Sequence, residues 1–213
     1  MSRPQRVAAA REDPHGKAEA VLAAAERAFL AAGFGAVIMD AIAREANVSK
    51  ATVYAHYTGK EELFGAVVAR LSERRFYGFS VAALDPAEIE ASLTTIAARF
   101  LGLVLSPEAI ALNRIIIGEV SRFPELGGVF WRAGPERTRA QIEAFLRRAA
   151  VAGSLAVPDP RLAAEQFIAL ARGEIHLRSL LRLEDTGDPA ALSAAASRAV
   201  ATFLRAFRNG DLR

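Results

Sequence analysis

Residues 48–64 read VSKATVYAHYTGKEELF. A serine, two threonines, two lysines, two tyrosines and a histidine crowd into a run whose surroundings are mostly Ala, Leu and Arg. Val53 and Tyr57 lie four apart, the spacing of one helical face. Ser49 stands where it can cap a helix start through its hydroxyl. If Val53 and Tyr57 point inward, Lys50, Ala51, Thr52, Tyr54, Ala55 and His56 are left outward. Immediately before this run, Met39, Ile42, Ala43 and Ala46 mark one face of a short helix. Asn47, between the two, tolerates positive φ better than any residue but glycine. The spacing therefore predicts two short helices joined by a tight turn, the helix-turn-helix arrangement.

Outward from this centre, the chain reads as helical throughout. Asp13-Pro14, Asp85-Pro86, Ser106-Pro107, Asp159-Pro160 and Asp188-Pro189 each join a capping side chain to a proline suited to a first helical position. Each precedes apolar residues at helical spacing, and no segment alternates like a strand for long. A first helix is expected from His15 or Lys17 to Ala32, ended by Gly33. Thr58 and Glu61 fit a capping box opening a linking helix that runs to about Phe79. Later helices are expected near 86–105, 107–122, 124–150 with a break at Gly134-Pro135, 160–183 and 189–208. The organisation is an all-α chain: a flexible basic arm over 1–16 carrying Arg3, Arg6 and Arg11, a helix-turn-helix domain over 17–64 with its linking helix to about 80, and a helical ligand-binding and dimerisation domain over 85–213.

Composition narrows the function without naming it. Of 213 residues 52% are hydrophobic, enough for a large core, and the net charge is only +3. Lys and Arg barely outnumber Asp and Glu both before Asp85 (11 to 9) and from it onward (16 to 15), so charge alone points to no partner. The lysines, however, are confined to Lys17, Lys50 and Lys60. With no cysteine the chain has no disulfide, thiolate metal site or cysteine nucleophile, and it suits a reducing cytoplasm. The opening residues lack an apolar signal region, and Arg or Glu interrupts each apolar run before it reaches membrane-span length. His15, His56 and His176 are the histidines, and none sits in a catalytic motif. Gly59-Lys60 lacks the glycine spacing and following hydroxyl of a phosphate-binding loop. The expectation is a protein that is not an enzyme and needs no cofactor or metal.

A solvated face would explain the charges of 48–64 but not an exposed tyrosine on a short, Ala-rich helix. A major groove would: it admits a helix with small residues at the approach and polar ones at the rim. Ala51 and Ala55 are small, and Lys50 and Thr52 can reach base edges. Tyr54, His56 and Lys60 carry donors for phosphate oxygens, and Lys60 stands at a helix N-terminus, where anions are favoured.

Residues 17–64 resemble the N-terminal DNA-binding domain of the TetR family of bacterial regulators. The matching pieces are AERAFLAAGFGA, MDAIAREANVS and KATVYAHYTGKEELF. The resemblance implies that the Ser49–Tyr57 helix enters the major groove of a near-palindromic operator, with Lys50, Ala51, Thr52 and Ala55 toward bases and Tyr54, His56 and Lys60 on phosphates. One departure stands out. The family usually places Ser or Thr before the second helix, whereas here Val37-Ile38 precede Met39, so a cap worth about 1 kcal/mol and a phosphate donor are missing. In the second half, ALNRIIIGEVSRFPELGGVFWRAGPERTRAQIEAFL resembles the AefR-type C-terminal domain of one branch of the family, implying a helical domain that binds a ligand and dimerises.

These readings combine as a homodimeric repressor released from its operator by a small, largely apolar effector. The alternatives are a helical protein-interaction module, or a constitutive DNA-binding protein without an effector. Phe100, Leu103, Ile116, Ile117, Val120, Phe130, Trp131, Phe145 and Phe167 are candidates for an apolar pocket, with Asn113, Glu119, Gln141 and His176 as polar groups to orient a ligand. Apolar stripes at this spacing equally serve as plain core. The last two helices are the expected dimer interface, with Gly173, Ala190, Ala194, Ala195 and Ala199 permitting close approach. Leu177, Leu180, Leu181, Val200, Phe203 and Phe207 would supply its apolar area.

Overall fold

The computed structural model of the protein describes residues 14–77, 81–183 and 188–208. The basic arm with Arg3, Arg6 and Arg11, the Asp13 cap and Phe79 lie outside them. Among the described residues every regular element is a helix. α1 spans Pro14–Ala36, α2 Met39–Glu45, α3 Lys50–His56 and α4 Lys60–Ser72. α4 runs into a single π-helical turn, Glu73–Tyr77, so the linking helix is regular only to Ser72. After a 3-10 turn at Val81–Ala83 come α5 (Ile89–Val104), α6 (Pro107–Glu119), α7 (Pro124–Ala133), α8 (Pro135–Val151), α9 (Pro160–Leu180) and α10 (Pro189–Phe207).

The proline pairs act largely as their chemistry demands. Ser106 accepts from the Ala109 N–H, Asp159 from Arg161 and Leu162, and Asp188 from Ala190, each with proline at the helix start. Asp85-Pro86 departs from this. Its carboxylate accepts the Ala87 N–H two residues on, a local turn, and α5 begins only at Ile89. The capping box is also displaced by one residue: Gly59 is the N-cap of α4, and Glu62, not Glu61, reaches back to the Thr58 N–H and hydroxyl, both at 2.7 Å. Gly33 breaks the end of α1 at φ 78°, after which the chain resumes for one turn to Ala36.

Two packed units share one continuous apolar core. In the first, α1, α2, α3 and the start of α4 close around Phe29, Phe34, Ile42, Val53 and Phe64, all fully buried. Phe34 and Phe64 meet edge to face at 5.6 Å. In the second, α5, α9 and α10 pack on one another and α8 lies along α9. The units are joined where α4 packs on α7 and α1 on α6. Val200 and Phe203 are buried inside the chain's own bundle, Phe203 edge-on to Phe167 at 5.1 Å, and Ala199 is buried with them. These residues hold the monomer together, which removes them from the list of exposed interface residues. Leu177 and Leu181 do stand exposed on α9 and in the turn after it.

Candidate functional site

The turn before α3 follows from two residues. Asn47 takes φ 53°, reversing the chain, and Val48 packs back onto the core. Ser49 then caps α3, its hydroxyl accepting the Thr52 N–H at 3.0 Å and lying 2.8 Å from the Thr52 hydroxyl. With Val53 fully buried and Tyr57 half-buried, the opposite face is fixed. Burial, then the nearby Glu62 charge, raises the Tyr57 phenol above its ordinary range. Lys50, Ala51, Tyr54, Ala55 and His56 are exposed together, and Thr52 is half-exposed beside them. Lys50 leans on Asp40 of α2 at 2.9 Å, and this hydrogen-bonded pair raises its pKa. Its ammonium also lies 5.9 Å from the Tyr54 ring. Both partners are exposed, so the pair is weak enough for Lys50 to exchange onto another anion.

Lys60 is different. Its ammonium donates to the carbonyls of Phe34, Gly35 and Val37 at 2.8, 3.3 and 2.9 Å, and sits 4.4 Å from the Phe34 ring. It ties the end of α1 to the start of α4. The expectation that Lys60 faces outward as a phosphate clamp is therefore corrected: an ammonium has three donors, and all are used inside the chain. On the other side of the same turn, Glu119 at the end of α6 accepts the Gly35 N–H with both oxygens at 3.0 Å. A Cβ on Gly33 or Gly35 would lie 2.8 Å from that carboxylate. Ile38, the N-cap of α2, offers no side-chain hydrogen bond, as its aliphatic side chain dictates.

A cavity of about 620 Å³ opens between α4 and α9 in the second unit. That is an ordinary size for a small-molecule site. Val68, Leu71 and Ser72 of α4, Ala109, Leu112 and Asn113 of α6, and Arg172 and His176 of α9 are among its walls. Of the expected lining, Phe100, Leu103, Asn113, Phe130, Trp131 and His176 meet there. The others do not. Ile117 is 64% exposed and Gln141 is exposed, on the outer faces of α6 and α8. Ile116 and Val120 are half-buried away from the cavity, and Phe145 and Phe167 are plain core at 0% exposure.

The sequence reading also missed the charged lining. Arg139, Glu165 and Arg172 border the cavity, where the sequence suggests only uncharged groups, His176 and Glu119 to orient a ligand, and Glu119 holds Gly35 instead. A signal for two of them existed: Glu165, Ile168, Arg172 and His176 fall at i, i+3, i+7 and i+11, one stripe of a helix. His176 is held well below its usual value, at about 4, first by burial and then by the Arg172 charge, so it is a neutral hydrogen-bonding group at pH 7.

Among the described residues no cluster of His, Asp and Glu could hold a metal ion, and no single helix is long and apolar enough to cross a membrane. Two family models match the chain. Residues 21–67 match the bacterial regulatory proteins of the tetR family, and residues 91–209 the C-terminal domain of AefR-like transcriptional repressors. Among solved structures, the chain is similar to the flavonoid-responsive regulator FrrA, 36% identical over 91% of this chain and 97% of that one, with a TM-score of 0.76. A TetR-family regulator from Mesorhizobium loti is 26% identical over 93% and 100%, TM-score 0.79, and one from Agrobacterium tumefaciens 25% identical over 90% and 94%, TM-score 0.76. No curated protein matches the chain. These relatives are regulators of transcription and not enzymes. With a turn and recognition-type helix built from 47–57 and family models covering both units, the chain belongs to the TetR family of bacterial DNA-binding transcriptional regulators.

Proposed function

We propose that this regulator is a cytoplasmic homodimeric repressor that grips a near-palindromic operator with two α3 helices and releases it when a small, largely apolar effector fills the cavity. One observation carries the reading: two helices run from the cavity to the recognition unit. α4 lines the cavity with Val68, Leu71 and Ser72 and begins at Lys60. α6 lines it with Ala109, Leu112 and Asn113 and ends at Glu119, whose carboxylate holds Gly35. A ligand that moves either wall pulls on the turn between α1 and α2, and through it on α3.

On the DNA side, Lys50, Ala51, Thr52 and Ala55 face base edges, with Ser49 capping the helix that presents them. Tyr54 and His56 reach phosphates. Two such helices in a symmetric dimer reach successive major grooves about 34–36 Å apart, or at the spacing their operator sets. For the dimer, Leu170, Gly173, Leu177 and Leu181 form an exposed stripe on and just beyond α9, next to exposed Ala190, Ala191 and Ala194 of α10. The aromatic lining (Phe100, Phe130, Trp131), together with the similarity to a flavonoid-responsive regulator, makes a flavonoid the first effector to try.

The test is a DNA-shift titration with a fragment from the gene's own upstream region, with and without flavonoid. Binding that is steeply salt-dependent and weakened by the compound is expected. Ala169→Phe, which fills the cavity wall, should keep operator binding and lose the response. A shift unaffected by any small molecule would leave a constitutive DNA-binding protein. No shift on any fragment would leave the helical interaction module.

A further inference from the structure

The charged groups around the cavity are not equivalent. Arg139 pairs with Glu143 on its own helix at 2.5 Å, and Glu165 with Arg161 at 3.4 Å. Arg172 lines the same cavity, yet among the described residues no carboxylate or carbonyl accepts its guanidinium. Of the neighbouring polar groups, Asn113 donates to the Ala109 carbonyl at 2.9 Å and the Ser72 hydroxyl to that of Val68 at 3.0 Å, while His176 is 8% exposed beside them. The lining also includes the apolar side chains of Leu71, Leu103, Leu112 and Trp131. The Arg172 residue is exposed as a whole, yet partial burial pulls its pKa down, and a guanidinium stays charged at neutral pH. The result is one permanent, unpartnered cation against an apolar chamber. Just beyond Arg172, Gly173 breaks α9 at φ 47°.

We infer that the effector is an organic acid bound as its anion, its carboxylate paired to Arg172 and its apolar body lying against Leu71, Leu103, Leu112 and Trp131. The inference rests on the reading of the cavity as the effector site and gives the ligand a charged end, so that a carboxylic acid replaces the flavonoid as the first effector to try. A planar guanidinium takes a carboxylate through two parallel hydrogen bonds, and such charge-assisted bonds are roughly twice as strong as neutral ones.

Trp131 is the chain's only tryptophan and lines the cavity, so its fluorescence reports occupancy. The full-length protein at pH 7.5 is titrated with 2-naphthoate and octanoate, each beside its methyl ester. At least one acid should bind about tenfold or more tightly than its ester. Arg172→Gln should bring acid and ester to within about threefold, and Arg172→Lys should keep part of the preference. Arg172→Gln should also melt no lower than wild type, because no hydrogen bond within the chain is lost. Equal affinity for acid and ester in wild type overturns the inference, as does a preference that survives Arg172→Gln. If equal binding is blocked by Ala169→Phe, the cavity reading stands and only the charge assignment falls. If neither acid nor ester binds, or binding is indifferent to Ala169→Phe, the cavity reading fails and takes this inference with it.

Discussion

Lys60 and Arg172 sit in the two halves of the molecule and exchange the roles that their sequence settings suggest. Lys60 follows a glycine in a run full of surface donors, and reads as a cation offered to DNA. It is instead a structural brace, its ammonium shared among three carbonyls and the Phe34 ring. Arg172 lies in an Ala-rich helix with little around it to mark it, and it is the cation left without a partner beside the cavity. A charge is available to a ligand only when the fold has not already satisfied it, and the satisfying groups come from distant positions: residues 34–37 for Lys60, and none among the described residues for Arg172.

The largest expected effect follows from that contrast. Lys60→Met should destabilise the chain by about 3 kcal/mol, because it strands three carbonyls at the α1–α4 junction. Chemical denaturation measures it. Tyr54→Ala, on the exposed face of α3, should leave stability within about 0.5 kcal/mol and weaken operator binding alike for all sequences, as a phosphate contact does. Unchanged stability in Lys60→Met would return Lys60 to the DNA-facing set and dissolve the comparison.

Next is Glu119→Ala, which releases the Gly35 N–H and should cost about 2 kcal/mol. If α6 transmits the signal, this variant should also need a different effector concentration for release. A change in stability with an unaltered response would place the coupling in α4 instead.

A smaller effect comes from His176. Its folded pKa of about 4 is below the ordinary 6.5, so the unfolded chain takes the proton first. The stability it contributes is present above pH 6.5 and is lost progressively as pH falls toward 4. By about pH 5.5 the loss should be on the order of 1 kcal/mol, or roughly 2–4 °C in Tm for a chain of this size. His176→Asn should flatten that part of the pH–Tm curve, and an unchanged slope would show that other groups set it. The smallest effect is a gain: Ile38→Ser places a capping hydroxyl at the start of α2 and should add up to about 1 kcal/mol, read in the same melts.

What was legible in the sequence was local. Ser-Pro and Asp-Pro caps, the Asn47 turn, the Val53–Tyr57 spacing and the Gly134-Pro135 break depend on residues a few positions apart. They set α3 and its exposed face, and the starts of α6, α9 and α10, before any tertiary contact is considered. Even there, Asp85 shows the limit: the same dipeptide made a short turn, and α5 waited until Ile89. Only the tertiary structure decided which apolar stripes became core and which became cavity wall. Phe145 and Phe167 are as apolar as Phe100 and Phe130, yet the first pair is fully buried, Phe167 against Phe203 of α10, while the second pair lines the cavity. It also decided which charges stayed free. Periodicity says which side of a helix turns inward, but whether that side meets a wall, a void or a partner depends on how helices distant in sequence stack against it.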